Sequence, residues 1–304
     1  MTAADLPTDA DLDAMFSRID NRGRWGDDDE RGTLNYITDA KVAQVAGGVR
    51  SGRVVSIGRD IDTTPSAKNP NPAVHKMIYE EHHPISALDQ LTIQPHGFGV
   101  THLDAVGHVY TQDGVMYNGR EAAAEVKATG MTFGSIQVGA DGIITRGILL
   151  DVAGARGVDW LEPTDSVTPN DLDAALDLAG IQIESGDAVF VRVGLGRREE
   201  AEGLEDPSER AGLTPDCLLW LHEKEVAVYS GDCVEKMPLP YQRFPLPLHM
   251  IGLPAMGLCL LDCPQVEPLV EACREEGRSQ FMLVVAPLRI PGGTGSPVNP
   301  LCVF

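Results

Sequence analysis

Several features that commonly announce a chemistry are missing from this 304-residue chain. No GxSxG turn offers a nucleophilic serine. No GxGxxG follows a predicted strand, so a dinucleotide has no glycine cradle. The six cysteines, at 217, 233, 259, 263, 273 and 302, include no CxxC pair. Cys259 and Cys263 stand four apart, but Pro264 follows and no second such pair exists, which argues against a zinc knuckle. None of the six sits in a recognisable catalytic setting, so they read as buried free thiols of a reducing cytoplasm. No apolar run is long enough to span a bilayer, and residues 1–16 are acidic and polar where a secretory signal would be basic and then apolar. Positive charge is scarce as well: 24 Lys and Arg face 45 Asp and Glu, a formal charge of −21. Such a surface repels phosphate backbones and anionic lipid, which makes nucleic acid and membranes poor partners and leaves a small-molecule substrate. A bound cation could still reverse the sign inside a pocket.

What is present fits a globular α/β enzyme. The apolar share of 43% supports a sizeable core. Residues 1–50 read as an N-terminal helical extension with a pocket-edge loop. Its helix, 11–19, packs on the main body or on a partner. The loop, residues 24–35, is charged, glycine-punctuated and carries Trp25; it is either an exposed tether or the edge of a pocket. Thr38 caps a second helix, 39–49. From 51 to 304 there is no repeat and no low-complexity linker, so this is treated as one domain. Strands are predicted at 53–61, 143–152, 187–193, 226–230, 258–261 and 281–286. Helices are predicted after Thr168-Pro169, after Thr214-Pro215 and over 265–276. Strand and helix alternate, which favours a mixed sheet.

Residues 94–108 concentrate the metal-capable side chains: His96, His102 and His108, three of the eight histidines, together with Asp104. On an extended backbone His102 and Asp104 face the same way; on a helix they would stand about 200° apart. Leu91-Thr92-Ile93 looks like strand, and Gly97 and Gly99 interrupt a helix, so the extended reading is preferred. His108 can return through the turn at 105–107. Imidazole and carboxylate without thiolate suit Zn or Mn. Catalysis then needs distant ligands. His249, in a proline-rich loop, is one candidate. Asp262 is the other, because it ends an apolar strand where an ionised carboxylate is costly without a partner. His75, His82 and His83 read as surface or packing histidines.

The stretch Thr101-His102-Leu103-Asp104-Ala105-Val106-Gly107-His108 resembles the THxDxxxH signature of the putative cyclase family, which includes bacterial kynurenine formamidases and isatin hydrolases. Trp25-Gly26, Gly32-Thr33-Leu34-Asn35, Tyr117-Asn118-Gly119, Thr145-Arg146-Gly147 and the closing Ala286-Pro287-Leu288-Arg289 extend the resemblance over most of the chain. It implies a swivelling β/α domain with a mixed, partly barrel-like central sheet flanked by helices, assembled as a homodimer or homotetramer. It also implies one or two divalent ions, Zn or Mn, and hydrolysis of an amide or lactam bond. Carried over by position, His102 and Asp104 are metal ligands and His249 is the family's late histidine. His108 matches a second-metal ligand in the formamidases and a general base in the isatin hydrolases. Two positions depart from the family. Phe98 stands where the formamidases have a histidine, with His96 two residues upstream as its candidate replacement. Asp262 stands for a glutamate, which favours a single ion.

The mechanism expected is a metal-activated water that opens an amide, lactam, imide or lactone of a small cyclic or aromatic substrate. His108 or His249 carries the proton, and Trp25, Phe98 and Tyr117 supply apolar walls. Two rival readings are a cyclase or lyase of natural-product metabolism using the same Lewis acid, and a metal-stabilised binding protein without turnover. Phe98 favours the second rival, whereas His108, an imidazole that a purely structural site would not need, counts against it.

Overall fold

Among the described residues nine strands share one sheet, and their order places the histidine segment near one edge. The computed structural model describes residues 7–78, 86–203 and 206–304. In chain order the strands are β1 (Val54–Ser56), β2 (His102–Asp104), β3 (Ile143–Asp151), β4 (Ala188–Arg192), β5 (Val228–Gly231), β6 (Cys259–Asp262), β7 (Gln280–Val285), β8 (Gly295–Pro297) and β9 (Leu301–Val303). Across the sheet they lie β1-β9-β7-β3-β4-β5-β6-β2-β8. The four central strands, β3 to β6, are parallel. Antiparallel strands flank them on both sides. The sheet is mixed and curls into a half-barrel flanked by helices, as the resemblance implied.

Parallel strands need cover on both faces, and the sequence supplies it with period two. Ile148, Leu150, Val189, Val191 and Leu260 point into one apolar cluster. Leu149, Ala188, Phe190, Val228 and Leu261 point into the other. Leu103 belongs to the second cluster, so its neighbours His102 and Asp104 face away from it. The predicted strands at 143–152, 187–193, 226–230, 258–261 and 281–286 are all present within a few residues. The first strand is shorter than its predicted span of 53–61, because only Val54–Ser56 finds a partner, in β9. The helix predicted over 39–49 ends at Ala46, where Gly47 caps it.

Two strands of this sheet, β8 and β9, carried no strand signal, whereas Leu91-Thr92, which did, falls on a hairpin outside it. β8 contains Gly295 and Pro297 and exists through its pairing with β2. A separate hairpin, Val74–Ile78 with Leu88–Thr92, is exposed throughout. His75 lies on that hairpin, bonded to Asp89, which fits its reading as a surface histidine. His82 and His83 lie outside the described residues.

The N-terminal segment packs on the body. Helix α1 (Asp9–Arg18) starts at a capping box of Thr8 and Asp11. Leu12, Met15 and Ile19, spaced along one helical face, are buried in the first cluster. Each such side chain contributes roughly 1.5–3 kcal/mol of burial. The loop that follows is tied down. Gly32, at φ +54°, presses on Gly257 so closely that a Cβ there would lie 2.1 Å from its carbonyl oxygen. Thr33 donates its N–H to Gly257 O (2.9 Å) and its hydroxyl to Ala227 O (2.7 Å). The Gly32-Thr33 pair therefore straps the loop across the turn that leads into β6.

Five of the six cysteines are buried and all six are free. Burial pushes the thiols of Cys233, Cys259, Cys263 and Cys273 up to about 12, and it raises Cys217 and Cys302 as well. Thiolate is the reactive form. A thiol-specific disulfide reagent at pH 8 should therefore find no reactive group in the native protein and all six after denaturation. Rapid labelling of native protein would contradict this account of their burial. No helix among the described residues is long and apolar enough to cross a membrane.

Candidate metal centre

β2 runs between β6 and β8, with Asp262 directly opposite His102 and Gly295 opposite Asp104. Cross-strand partners share a face, and so do residues two apart. The backbone alone therefore puts His102, Asp104 and Asp262 on one side of the sheet, all three buried. The Nδ1–H of His102 donates to Val100 O at 2.8 Å. That fixes the tautomer and leaves Nε2 turned inward, 3.5 Å from Asp104 Oδ1.

Three more imidazoles close around Asp104. His96 Nδ1 is 3.0 Å from Oδ1, and its Nε2 meets the Thr294 hydroxyl at 3.0 Å. His108 stacks flat on His96, with centroids 3.6 Å apart and an angle of 4°. Its Nε2 stands 3.9 Å from Asp104 Oδ1. His249 reaches in from the short helix Pro247–Ile251, with Nε2 3.6 Å from Asp104 Oδ2 and 3.3 Å from Asp262 Oδ2. Its other nitrogen bonds Glu235 Oε1 at 2.6 Å, while Glu235 Oε2 accepts the N–H of Leu248 at 2.8 Å. Room for His96 comes from Gly295, where a Cβ would lie 2.5 Å from the ring.

The residues fit a divalent ion. Asp104 Oδ2 and Asp262 Oδ1 are buried oxygens without a hydrogen-bond partner, a costly state for carboxylates unless something cationic takes the lone pairs. Donor atoms of His96, His102 and Asp104 lie within 4.8 Å of one another, and so do those of Asp104, His249 and Asp262. Asp104 is common to both groups. Nitrogen and oxygen donors without thiolate match Zn or Mn.

Charge follows the geometry. Burial works against ionising Asp104, but the His96 bond and the other three imidazoles more than offset it and hold the carboxyl at about 2. His108 moves the other way: burial, with the neighbouring imidazoles, outweighs Asp104 and lowers it to about 4. Burial also opposes a charge on His249, yet Glu235 and Asp262 prevail and raise it well above the ordinary imidazole range.

The four further residues expected as ligands or proton carriers around His102 and Asp104 fall as follows. His96 is inside the cluster, and so are His249 and Asp262. His249, expected to carry protons, lies among the ligand-capable atoms. His108, expected as ligand and base, stacks beside them without joining either group. The three expected pocket walls separate. Phe98 is partly buried, with the Arg210 guanidinium 4.3 Å above its ring. Tyr117 is fully buried against Val106 and Phe133, and its hydroxyl donates to Asp29 at 2.9 Å. Trp25 packs edge-on against Tyr36. Tyr117 and Trp25 thus brace the N-terminal loop, and neither makes a hydrogen bond or ring contact with the histidine cluster among the described residues. Glu235 and Thr294 were not anticipated. Glu235 had one faint signal, an acid in the apolar run Cys233-Val234-Glu235.

A family model described as "Putative cyclase" matches residues 32–235. Among solved structures, one described as a novel cyclase superposes with a TM-score of 0.83 at 29% identity, covering 94% of this chain and 99% of its own. Isatin hydrolase A from Labrenzia aggregata, bound to benzyl benzoate, has a TM-score of 0.61 at 20% identity, covering 86% of this chain and 98% of its own. An isatin hydrolase bound to the product analogue thioisatinate gives 0.59 at 21%, covering 86% and 95%. At that identity the two isatin hydrolases share the fold. Comparison with curated proteins finds no match.

Proposed function

The chain belongs to the putative cyclase family, and from that premise we propose that it is a metal-dependent hydrolase opening an amide, lactam, imide or lactone bond of a small cyclic or aromatic substrate. The observation that carries this reading is the pair of buried carboxylates, Asp104 and Asp262, whose unpartnered oxygens meet a ring of imidazoles. His102, Asp104, Asp262 and His249 would hold the ion, with His96 beside them. A divalent ion there supplies Lewis acidity to a carbonyl oxygen and lowers the pKa of water.

The chain's own groups do the rest. Val100 O and Glu235 each bind the outer nitrogen of a histidine, so His102 and His249 present Nε2 to the site without rotating. Asp104 sits at the centre, with Oδ1 bonded to His96 and Oδ2 left for the ion. His108 is the proton carrier. Its side chain is the most exposed of the four imidazoles, at 24%, and its Nε2 makes no hydrogen bond among the described residues. It can therefore take a proton from water and return it to the leaving nitrogen or oxygen. The relatives named isatin hydrolases make an isatin-like lactam the first substrate to try.

The test is a metal count followed by turnover of isatin, an N-formyl aniline, a cyclic imide and a lactone. Protein loaded with Zn or Mn should turn over at least one of them, lose that activity to a chelator and regain it on reloading. Loading should also raise thermal stability, by about 2.7 kcal/mol at a hundredfold excess over Kd. Full activity in metal-stripped protein would sink the proposal.

A further inference from the structure

Arg210 is a buried cation with no acid in ion-pair contact among the described residues, although Glu235 and Asp262 favour its charge from farther off. Only 9% of its surface is exposed. Among the described residues its side chain makes no ion pair or hydrogen bond, and its Nε is a buried donor with no partner. Its contact is the Phe98 ring, 4.3 Å from the guanidinium carbon. Phe98 and Arg210 line a small cavity with Arg59, Lys68, Asp232 and Cys263. Its walls are chain neighbours of the metal-site residues, since Cys263 follows Asp262 and Phe98 lies just beyond His96.

Every nearby acid is committed elsewhere. Asp232 accepts the N–H groups of Val193, Gly194 and Leu195 at 2.8, 2.8 and 2.9 Å. Glu235 has both oxygens on His249 and Leu248. Asp262 turns Oδ2 to His249, and its unpartnered Oδ1 is the oxygen left for the ion. Cys233 and Cys263 are neutral thiols, their ionisation pushed up to about 12 by burial. Lys68 is paired with Glu199, and Arg59, which donates to Cys263 O, adds a second guanidinium to the wall. A buried charge left unpaired is strongly unfavourable, and this one persists in a chain whose formal charge is −21.

We propose that Arg210, oriented by Phe98, is the docking group for a carboxylate on the substrate, which narrows the class to small cyclic or aromatic amides and lactams bearing a free acid. Calling that ligand the substrate rests on the hydrolase reading; the anion pocket itself rests on Arg210. Guanidinium binds carboxylate through two parallel N–H donors, and an aromatic face beneath it fixes the plane of the fork. This gives Phe98 a role in place of the ligand its position would otherwise hold.

The test is calorimetric titration of benzoate, and of its neutral counterpart benzamide, into Zn-loaded and metal-stripped protein. Benzoate should bind both forms, with benzamide at least about tenfold weaker, and Arg210→Gln should cost at least about tenfold in benzoate affinity while the metal content stays unchanged. Phe98→Leu, which keeps the charge but removes the platform, should weaken benzoate less. If Arg210→Gln fails to fold, Arg210→Lys carries the test: it retains charge without the fork and should still lose affinity. Benzoate binding indifferent to Arg210, or binding that follows the metal and not Arg210, overturns the proposal. Arg210-dependent benzoate binding in a protein that hydrolyses none of the amides would sink the hydrolase reading alone.

Discussion

Asp104→Asn should give a folded protein that holds no ion and turns nothing over. Asp104 is common to both sets of ligand-capable atoms. Its Oδ1 faces His96, His102 and His108 at 3.0, 3.5 and 3.9 Å, and its Oδ2 faces His249 at 3.6 Å. Asn keeps the shape and can still accept from His96, so the sheet around β2 has little reason to unfold. What disappears is the negative charge and one acceptor at the centre of the site. Loss of an outer partner of a ligand costs about 10–100-fold in metal affinity, so losing the central carboxylate should cost at least the upper end of that range.

A pH signature accompanies the same change. In metal-free protein the imidazoles hold the Asp104 carboxyl down from 3.8 to about 2. A carboxyl depressed in the fold contributes stability that is present above its unfolded value. That share is lost as pH falls from about 4 towards 2. The variant should lack this acid-dependent loss. Elemental analysis and melting curves across that range check both points; an unchanged metal count in Asp104→Asn would remove the site from the cluster described.

How much of this was legible beforehand depended on the length scale of the signal. The central strands were readable because they are buried on both faces, and runs such as Ile148-Leu149-Leu150 have few other uses. His102 and Asp104 were readable because a two-residue spacing on a strand determines a shared face locally. Asp262 was readable for an energetic reason, as a carboxylate closing an apolar strand. Pairing that runs across the sheet was not readable. β8 carries a glycine and a proline and becomes a strand only because β2 lies beside it. That same long-range pairing brings Thr294 to His96 and leaves the space at Gly295 that His96 occupies. Trp25 and Tyr117 were expected as apolar pocket walls beside the site. The structure uses them as braces, and only the contacts of Tyr117 with Asp29 and Trp25 with Tyr36 reveal that.

Glu235 carries the second large expected effect. It is 1% exposed and holds His249 through one oxygen and the first turn of the His249 helix, at Leu248 N, through the other. Glu235→Ala leaves both donors buried and unanswered, and breaking such a pair costs about 3–5 kcal/mol. The imidazole, free to rotate, no longer presents Nε2 between Asp104 and Asp262, which should lower metal affinity by a further 10–100-fold, on the order expected when an orienting partner is lost. Glu235→Gln separates the two effects. Its amide oxygen can serve one of the two donors, so the metal-free melting temperature should fall far less than in the alanine variant. Its –NH₂ cannot accept from His249, so metal affinity should still drop. If Glu235 were only a counter-charge for the fold, the glutamine variant would lose stability and keep its metal. Metal affinity falling in Glu235→Gln while the metal-free melting temperature barely moves is the pattern that identifies Glu235 as a positioning residue acting through His249.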